Sequence, residues 1–83
     1  MRHTLASMAD GWELGSAPGI RPRQTRVWLQ RGRIGSGRET QAVHGATLQA
    51  LRKLLLVQVR SVQSQITTYE LTAAGRSAVR GDA

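Results

Sequence analysis

Arginine is the residue type in this sequence that is best suited to bind a partner. Twelve of the 83 residues are basic and five are acidic, which gives a formal charge of +7 and a pI near 11.8. All the basic residues except Lys53 are arginines. The planar guanidinium group matches phosphate oxygens and the edge of guanine, and a strong positive charge attracts polyphosphates. We therefore expect double-stranded DNA as the partner, with an acidic protein partner as the alternative.

Half of this positive charge is concentrated in one stretch. Six arginines lie between positions 21 and 38, where glycines and a proline interrupt regular structure. We predict an Arg/Gly-rich loop region over 21–42, mobile or sharply turned at its glycines. It lacks the spacing of a Walker loop or a dinucleotide fingerprint. Its candidate contacts are Arg31, Arg33 and Arg38, on an arm that tracks phosphates or enters a minor groove, or on an ordinary solvated loop.

Catalysis is not expected. The sequence has no cysteine, which excludes disulfides, thiolate metal sites and thiol nucleophiles. Two histidines without a cysteine do not make a usual structural zinc site, and the scattered acids form no paired carboxylates. We expect no enzymatic activity, no metal and no cofactor. Because there is no run of about 18 apolar residues and no apolar signal segment, we expect a cytoplasmic protein without a membrane partner.

The elements that position these side chains begin with a short helix and two strands. Thr4 is a candidate cap for a helix over 5–9, and the Asp-Gly pair that follows would end it. Alternation of apolar and polar residues predicts strands at 12–14 and 26–30. The segment 15–24 contains two prolines and two glycines and is predicted to be a loop.

The two tryptophans lie on these two predicted strands. The chain has no phenylalanine and one tyrosine. We therefore expect Trp12 and Trp28 to be largely buried, as cross-strand or core partners. Stacking on nucleic-acid bases is the alternative role for these side chains.

A central helix is predicted to begin near Thr40 or His44 and to end at Leu54. With about 100° per residue, one side of this segment carries its apolar stripe. That stripe consists of Val43, Thr47, Leu48, Leu51, Leu54 and Leu55. The opposite, acid-free face carries Gln49, Arg52 and Lys53. Such a face suits a DNA groove, where glutamine reads adenine and arginine reads guanine, although an ordinary solvated face has the same pattern.

A hairpin and a short helix follow. Alternation at 55–59 and 66–71 predicts two strands, and the polar segment 60–65 between them predicts the hairpin tip. Thr72 is a good N-cap for the last helix. The candidate contacts of the tip are Arg60, Ser61, Gln63 and Gln65. The expected core of this half is formed by Leu48, Leu51, Leu54, Leu56, Val57, Tyr69 and Leu71.

Two segments resemble winged-helix proteins of the MarR-like and PadR-like kind: LRKLLLV at 51–57 and YELTAAGR at 69–76. In that superfamily a recognition helix ends in a pattern like L-x-x-x-G-L-V, and Y-x-L-T-x-x-G-R leads into the last helix. The positions that match the second pattern are Tyr69, Leu71, Thr72, Gly75 and Arg76. Leu55 stands where the first pattern has glycine. The resemblance covers residues 43–80.

The predicted elements and this resemblance together imply a fold and a function. The fold is α+β, a single winged-helix-like domain over 1–83 in the order α-β-β-α-β-β-α, with the helix, wing hairpin and final helix in 43–80. The resemblance implies transcriptional regulation in a bacterium or phage, with the helix in the major groove and the wing on the adjacent backbone or minor groove. The alternative is a small phage- or bacterium-encoded protein that binds and modulates a host protein or nucleoprotein complex. A homodimer is compatible with both, because it would cover apolar surface that so small a core leaves exposed.

Overall fold

One five-stranded antiparallel sheet runs through the molecule, and three helices pack against one of its faces. The computed structural model describes residues 2–21 and 23–81. In chain order the elements are α1 (Arg2–Ala9), β1 (Trp12–Pro18), β2 (Thr25–Arg31), β3 (Thr40–Ala42), α2 (Gly45–Lys53), β4 (Val57–Gln63), β5 (Ile66–Leu71) and α3 (Ala73–Arg80). The strands lie in the order β3-β2-β1-β5-β4. No helix in this part of the chain is long and apolar enough to cross a membrane.

The two faces of the sheet have different partners. Residues that are paired across antiparallel strands point to the same side, and Leu14 is paired with both Leu29 and Tyr69. These three side chains pack against the helices, and we call their side the helix face. Gly15 is paired with Trp28 on the other side, which we call the open face.

The core lies between the helix face and the helices. Its buried residues are Leu5, Leu14, Val27, Leu29, Leu48, Leu51, Val57 and Tyr69. Four of the seven core residues predicted above are among them, and Leu56 and Leu71 pack partly buried against the same cluster. Leu54 is 55% exposed, so its assignment to the core is wrong. The reason is that α2 ends at Lys53, and beyond it helical spacing no longer turns Leu54 or Leu55 toward the sheet.

The first helix begins earlier than its pattern predicts. It starts at Arg2, so Thr4 lies within the helix and is 5% exposed, and its predicted role as the cap is wrong. Leu5 and the partly buried Met8 hold the helix on the core, so packing stabilises this short element. Gly11 has φ 94° just beyond the helix, as the Asp-Gly pair predicts.

The first strand is also longer than predicted. It continues from the predicted 12–14 to Pro18, so 15–18 belong to a strand and the loop assignment is wrong there. Gly15 and Ser16 are paired with β2 on one side and with β5 on the other. Pairing with distant strands decides their conformation, whereas local composition, with its glycine and proline, favours a loop.

A third strand replaces part of the predicted Arg/Gly-rich loop. β3 pairs with the outer edge of β2, with Ala42 opposite Trp28, so the order is α-β-β-β-α-β-β-α and the predicted order lacks one strand. Arg31, predicted as a loop residue, ends β2. The central helix begins at Gly45 after His44, the later of the two predicted starts. Three residues, TQA, are too few to show an alternating pattern, so only the free edge of β2 accounts for this strand.

The hairpin of β4 and β5 has a tighter turn than predicted. β4 runs to Gln63 and leaves Ser64 and Gln65 as the turn, with φ values of 50° and 66°. Two-residue turns of this kind match the twist of the flanking strands. The predicted tip over 60–65 is therefore wrong in its first four residues, which belong to β4. The predicted strand at 66–71 is confirmed.

The junction between α2, β4 and α3 is closely packed. Thr72 caps α3 as predicted, because its Oγ1 accepts a hydrogen bond of 3.0 Å from the Gly75 N–H. Its hydroxyl also donates to the carbonyl oxygen of Leu55. A Cβ at the buried Gly75 would clash with the carbonyl oxygen of Leu56. Leu55 itself has φ 58°, a left-handed conformation that is costly for a leucine.

Candidate nucleic-acid interface

The ten side chains predicted as nucleic-acid contacts do not form one surface. Three are on α2, namely Gln49, Arg52 and Lys53. Four are on the β4–β5 hairpin, namely Arg60, Ser61, Gln63 and Gln65. Three are at the end of β2 or in the loop that follows it, namely Arg31, Arg33 and Arg38. Nine of the ten are exposed and Ser61 is half-buried, so all can meet a partner.

The α2 surface, defined by Gln49, Arg52 and Lys53, lies on the solvent side of the helix layer. The segment GATLQALRK carries no acidic residue, and its buried side chains face the core. The Arg52 guanidinium carbon lies 5.8 Å from the centroid of the Tyr69 ring, so a cation–π contact directs this side chain toward β5. Gln49 and Lys53 are exposed on α2, whereas Arg52, although exposed, lies against the Tyr69 ring instead of pointing away from the apolar stripe.

A groove on the open face brings loop and hairpin residues together. Its volume is about 530 Å³, and it lies between the β2–β3 loop and the β4–β5 hairpin. Four of the predicted contacts line it, namely Arg33, Arg60, Ser61 and Gln63. Ile34 from the loop and Ile66 from the hairpin line it as well. This open-face groove therefore combines guanidinium, hydroxyl and amide groups with apolar surface.

Hydrogen bonds hold the loop against the open face. Gln30, 7% exposed, accepts a bond of 2.9 Å from the Gly35 N–H and donates one of 3.3 Å to the Arg38 carbonyl oxygen. Glu13 accepts a bond of 3.0 Å from the Ile34 N–H. The three glycines of the loop have positive φ. The loop is therefore sharply turned, as its glycines predict, and it is tethered to the sheet.

Two of the predicted arginine contacts are paired with carboxylates. Arg60 Nη1 lies 2.9 Å from Glu13 Oε2, and the Glu13 side chain is only 12% exposed. Arg31 Nη1 lies 3.2 Å from Glu39 Oε1, in a pair whose side chains are 49% and 69% exposed. Exposed ion pairs contribute about 1 kcal/mol or less, so a phosphate can compete for Arg31. Arg60 is held more firmly, because its partner is sheltered and also bonded to the loop.

A β-bulge aims Arg60 at the open face. Val59 is paired with Tyr69, and Ser61 is paired with Thr68, which leaves Arg60 as the extra residue of β4. Bulges re-aim side chains in this way, often at binding sites. Arg60 therefore joins the open-face groove rather than the turn of the hairpin.

Trp28 is a candidate contact residue whose environment differs from the prediction. Trp12 is paired with Arg31 on the helix face and packs against the core, whereas Trp28 is paired with Gly15 on the open face. Each is half-buried, so the prediction that both are largely buried is wrong, and their opposite faces exclude a cross-strand pair. Trp12 does pack against the core as predicted, whereas Trp28 does not. Even-numbered positions of β1 are paired with odd-numbered positions of β2, so the two tryptophans take opposite faces.

Arg26 accompanies Trp28 on the open face. Its guanidinium carbon lies over the indole, 5.9 Å from the ring centroid. A spacing of two residues within one strand puts side chains on the same face. That spacing is the signal by which the sequence alone could have identified this arginine–tryptophan pair.

Gln65 and Arg38 do not line the open-face groove. Gln65 is at the exposed hairpin turn, and the Arg38 side chain is exposed beside β3. Among residues 2–21 and 23–81 there is no group of three or more histidine or carboxylate side chains that could hold a metal ion.

Comparison with known proteins identifies no relative of this chain. No protein-family model, no curated protein and no solved structure matches the chain.

Proposed function

We propose that this chain is a small, basic, non-enzymatic protein that binds double-stranded DNA and regulates transcription in a bacterium or a phage. The observation that carries the proposal is the α2 surface, an exposed helix side with Gln49, Arg52 and Lys53 and no acidic residue. Glutamine can pair with adenine and arginine with guanine in the major groove. An α-helix is about 10–12 Å in diameter with its side chains, which suits a groove about 12 Å wide.

Local features of the second half support a winged-helix geometry for this binding. A hairpin follows α2, and Thr72 caps the helix after the hairpin. Leu55 has positive φ where the family pattern has glycine, the residue that adopts this conformation most readily. The structure has β3 in place of the helix that precedes the recognition helix in a helix-turn-helix. Docking would therefore depend on α2 and the hairpin.

The hairpin would contribute hydrogen bonds rather than charge to duplex binding. Its turn residues Ser64 and Gln65 are exposed and able to contact phosphates. Arg60 is directed to Glu13 on the open face. We therefore expect Arg60 to contribute little to duplex binding, which revises the role predicted for it from the sequence.

A protein partner is the second candidate, and exposed apolar residues favour it. Leu54, Leu55, Val59 and Val62 are 55, 70, 46 and 63% exposed. β4 is an edge strand, so its free backbone groups are able to pair with another chain. Such a surface suits a host protein, a nucleoprotein complex or a second copy of this chain.

Selection from a random duplex pool, followed by fluorescence anisotropy at physiological salt, tests the DNA proposal. We expect a selected duplex to bind at least about tenfold tighter than the nonspecific range of about 10⁻⁴–10⁻⁶ M. Arg52→Ala should weaken that duplex by about 1–3 kcal/mol, as loss of a guanine contact predicts. Arg21→Ala, in the turn between β1 and β2, removes one charge and is the matched control. If no duplex exceeds the random pool in affinity, the proposal fails and the protein partner becomes the leading candidate.

A further inference from the structure

We propose that the open face of the sheet is a second binding site, which takes single-stranded nucleic acid. The strand's phosphates would lie along Arg33 and Arg60 in the open-face groove, and one of its bases would stack on Trp28. This site is separate from the α2 surface, and it goes beyond the duplex binding proposed above.

The charge of the groove suits a phosphodiester backbone. Arg33 and Arg60 line the open-face groove and also a neighbouring cleft of about 440 Å³, to which α3 contributes Arg76. The carboxylates on this path are Glu13, which lines both spaces, and Glu70, which lines the cleft. Glu13 is already engaged by Arg60 and the Ile34 N–H. The groove and the cleft share Glu13, Arg33 and Arg60 in their linings and would form one track for the strand. Together they carry three arginines and two glutamates, a net positive charge that suits the phosphates of a single strand.

Trp28 provides a stacking platform beside this track. The row of paired residues that crosses the sheet at Trp28 otherwise carries small side chains, namely Ala42, Gly15, Thr68 and Ser61. The indole is half-buried, so part of it is open to solvent. Arg26 lies over the ring, so a base that stacks on this face would displace its guanidinium, which could then make a cation–π contact with the base.

Apolar side chains connect Trp28 to the groove. A Cβ at Gly15 would lie 3.4 Å from Trp28 Cζ2 and 3.0 Å from Ile34 Cδ1, so these side chains meet above the glycine. Ile34 continues into the groove, and Ile66 lines it from the hairpin. Phosphates gain nothing from apolar surface, whereas the faces of nucleobases do. The ligand that uses both parts of the open face is therefore a strand with accessible bases.

A duplex does not offer such bases. Its base faces are stacked within the helix, whereas the bases of a single strand can be turned onto an aromatic side chain. Gln63 and the hydroxyl groups of Ser61 and Thr68, 2.8 Å apart, supply hydrogen-bonding groups along the groove. Single strands of DNA and RNA share this chemistry, and the 2′-hydroxyl group is what can distinguish them.

Anisotropy titrations of the full chain with labelled oligothymidine and oligouridine of about 12 nucleotides test the site. We expect both to bind and to quench tryptophan fluorescence. Trp28→Leu keeps an apolar side chain but removes the ring, and it should lower the affinity about tenfold. Trp28→Phe restores a ring face and should recover most of that loss. Tighter binding of oligouridine would identify RNA as the preferred strand, and tighter binding of oligothymidine would identify DNA.

Variants of equal charge distinguish this site from the α2 surface. Arg33→Ala should reduce the salt slope of single-strand binding by about 0.7, the value for one phosphate contact. Arg52→Ala, which removes the same charge from α2, should leave that slope unchanged. Trp12→Phe should retain the quenching that comes from Trp28. Trp12 packs against the core but also lines the cleft, so any quenching lost in this variant would come from a strand bound in the cleft.

Three results would overturn the inference. They are equal affinity of Trp28→Leu, Trp28→Phe and the unsubstituted chain, an unchanged salt slope in Arg33→Ala, and an equal slope change in Arg52→Ala. A failed duplex selection together with the expected Trp28 effect would instead remove the proposed function and leave this site in place.

Discussion

The helix face and the open face of the sheet carry different kinds of side chain. On the helix face, Leu14, Leu29 and Tyr69 are large, buried and packed beneath helices. On the open face, Trp28 is surrounded by small and polar neighbours, and a loop is tethered to Gln30 by hydrogen bonds. This small domain therefore places its stabilising apolar contacts on one side of the sheet. The other side is free to carry groups that bind a partner.

The largest effect of a substitution on stability is expected on the helix face. Leu51→Ala removes a fully buried side chain and should lower the free energy of unfolding by about 2–5 kcal/mol. Leu54→Ala, three residues further and 55% exposed, should cost about 0.5 kcal/mol or less. Thermal and denaturant melts measure both changes. Similar losses of stability in the two variants would contradict the conclusion that α2 packs on the helix face through Leu51.

A smaller loss of stability is expected when the hydrogen bonds that hold the loop on the open face are removed. Gln30→Ala removes two hydrogen bonds, each contributing about 0.5–1.5 kcal/mol, so we expect a loss of about 1–3 kcal/mol. The Gly35 amide should lose protection from hydrogen exchange, because its acceptor is gone. Gln58→Ala, at an exposed position of β4, is the control. Undiminished protection of Gly35 in Gln30→Ala would show that the loop is held by other contacts.

A still smaller effect, of opposite sign, is expected at the end of α2. Leu55 has φ 58°, and glycine relieves that conformation at some cost in chain entropy. Leu55→Gly should therefore stabilise the fold by about 0.5–1 kcal/mol in a thermal melt. Leu54→Gly is the matched control, because Leu54 has φ −84° and glycine there should destabilise. Destabilisation by both substitutions would argue against a left-handed residue at 55.

The smallest expected effect concerns the charge within the groove. Glu13→Gln keeps an oxygen for the Ile34 N–H but removes the charge that engages Arg60. If a phosphate competes with this carboxylate, single-strand affinity should rise about two- to fivefold at physiological salt, the equivalent of one weak ion pair. Glu39→Gln releases Arg31, which does not line the groove, and should have less effect. An unchanged or lower affinity in Glu13→Gln would mean that Arg60 takes no part in binding the strand.

Several local features of the chain follow from the sequence alone, although the bounds of β4 and of its turn do not. The strand at 66–71 has its predicted bounds, and Thr72 caps α3 as predicted. The end of the first helix at the Asp-Gly pair was predictable for the same reason, because Gly11 adopts positive φ. Alternation, capping and glycine turns depend on residues close together in the chain, and the net charge depends on composition alone.

Which side chains share a surface depends on the tertiary structure. Trp28 lies on the open face because of the register between β1 and β2, and β3 exists because β2 has a free edge. Glu13 and Arg60, 47 positions apart, meet only because β1 and the β4–β5 hairpin belong to one sheet. A local pattern predicts where a strand lies in the chain, but it does not specify which strands pair with that strand or in which register. For that reason the ten predicted contacts could be named from the sequence, whereas their division between α2, the open-face groove and the exposed loop and turn could not.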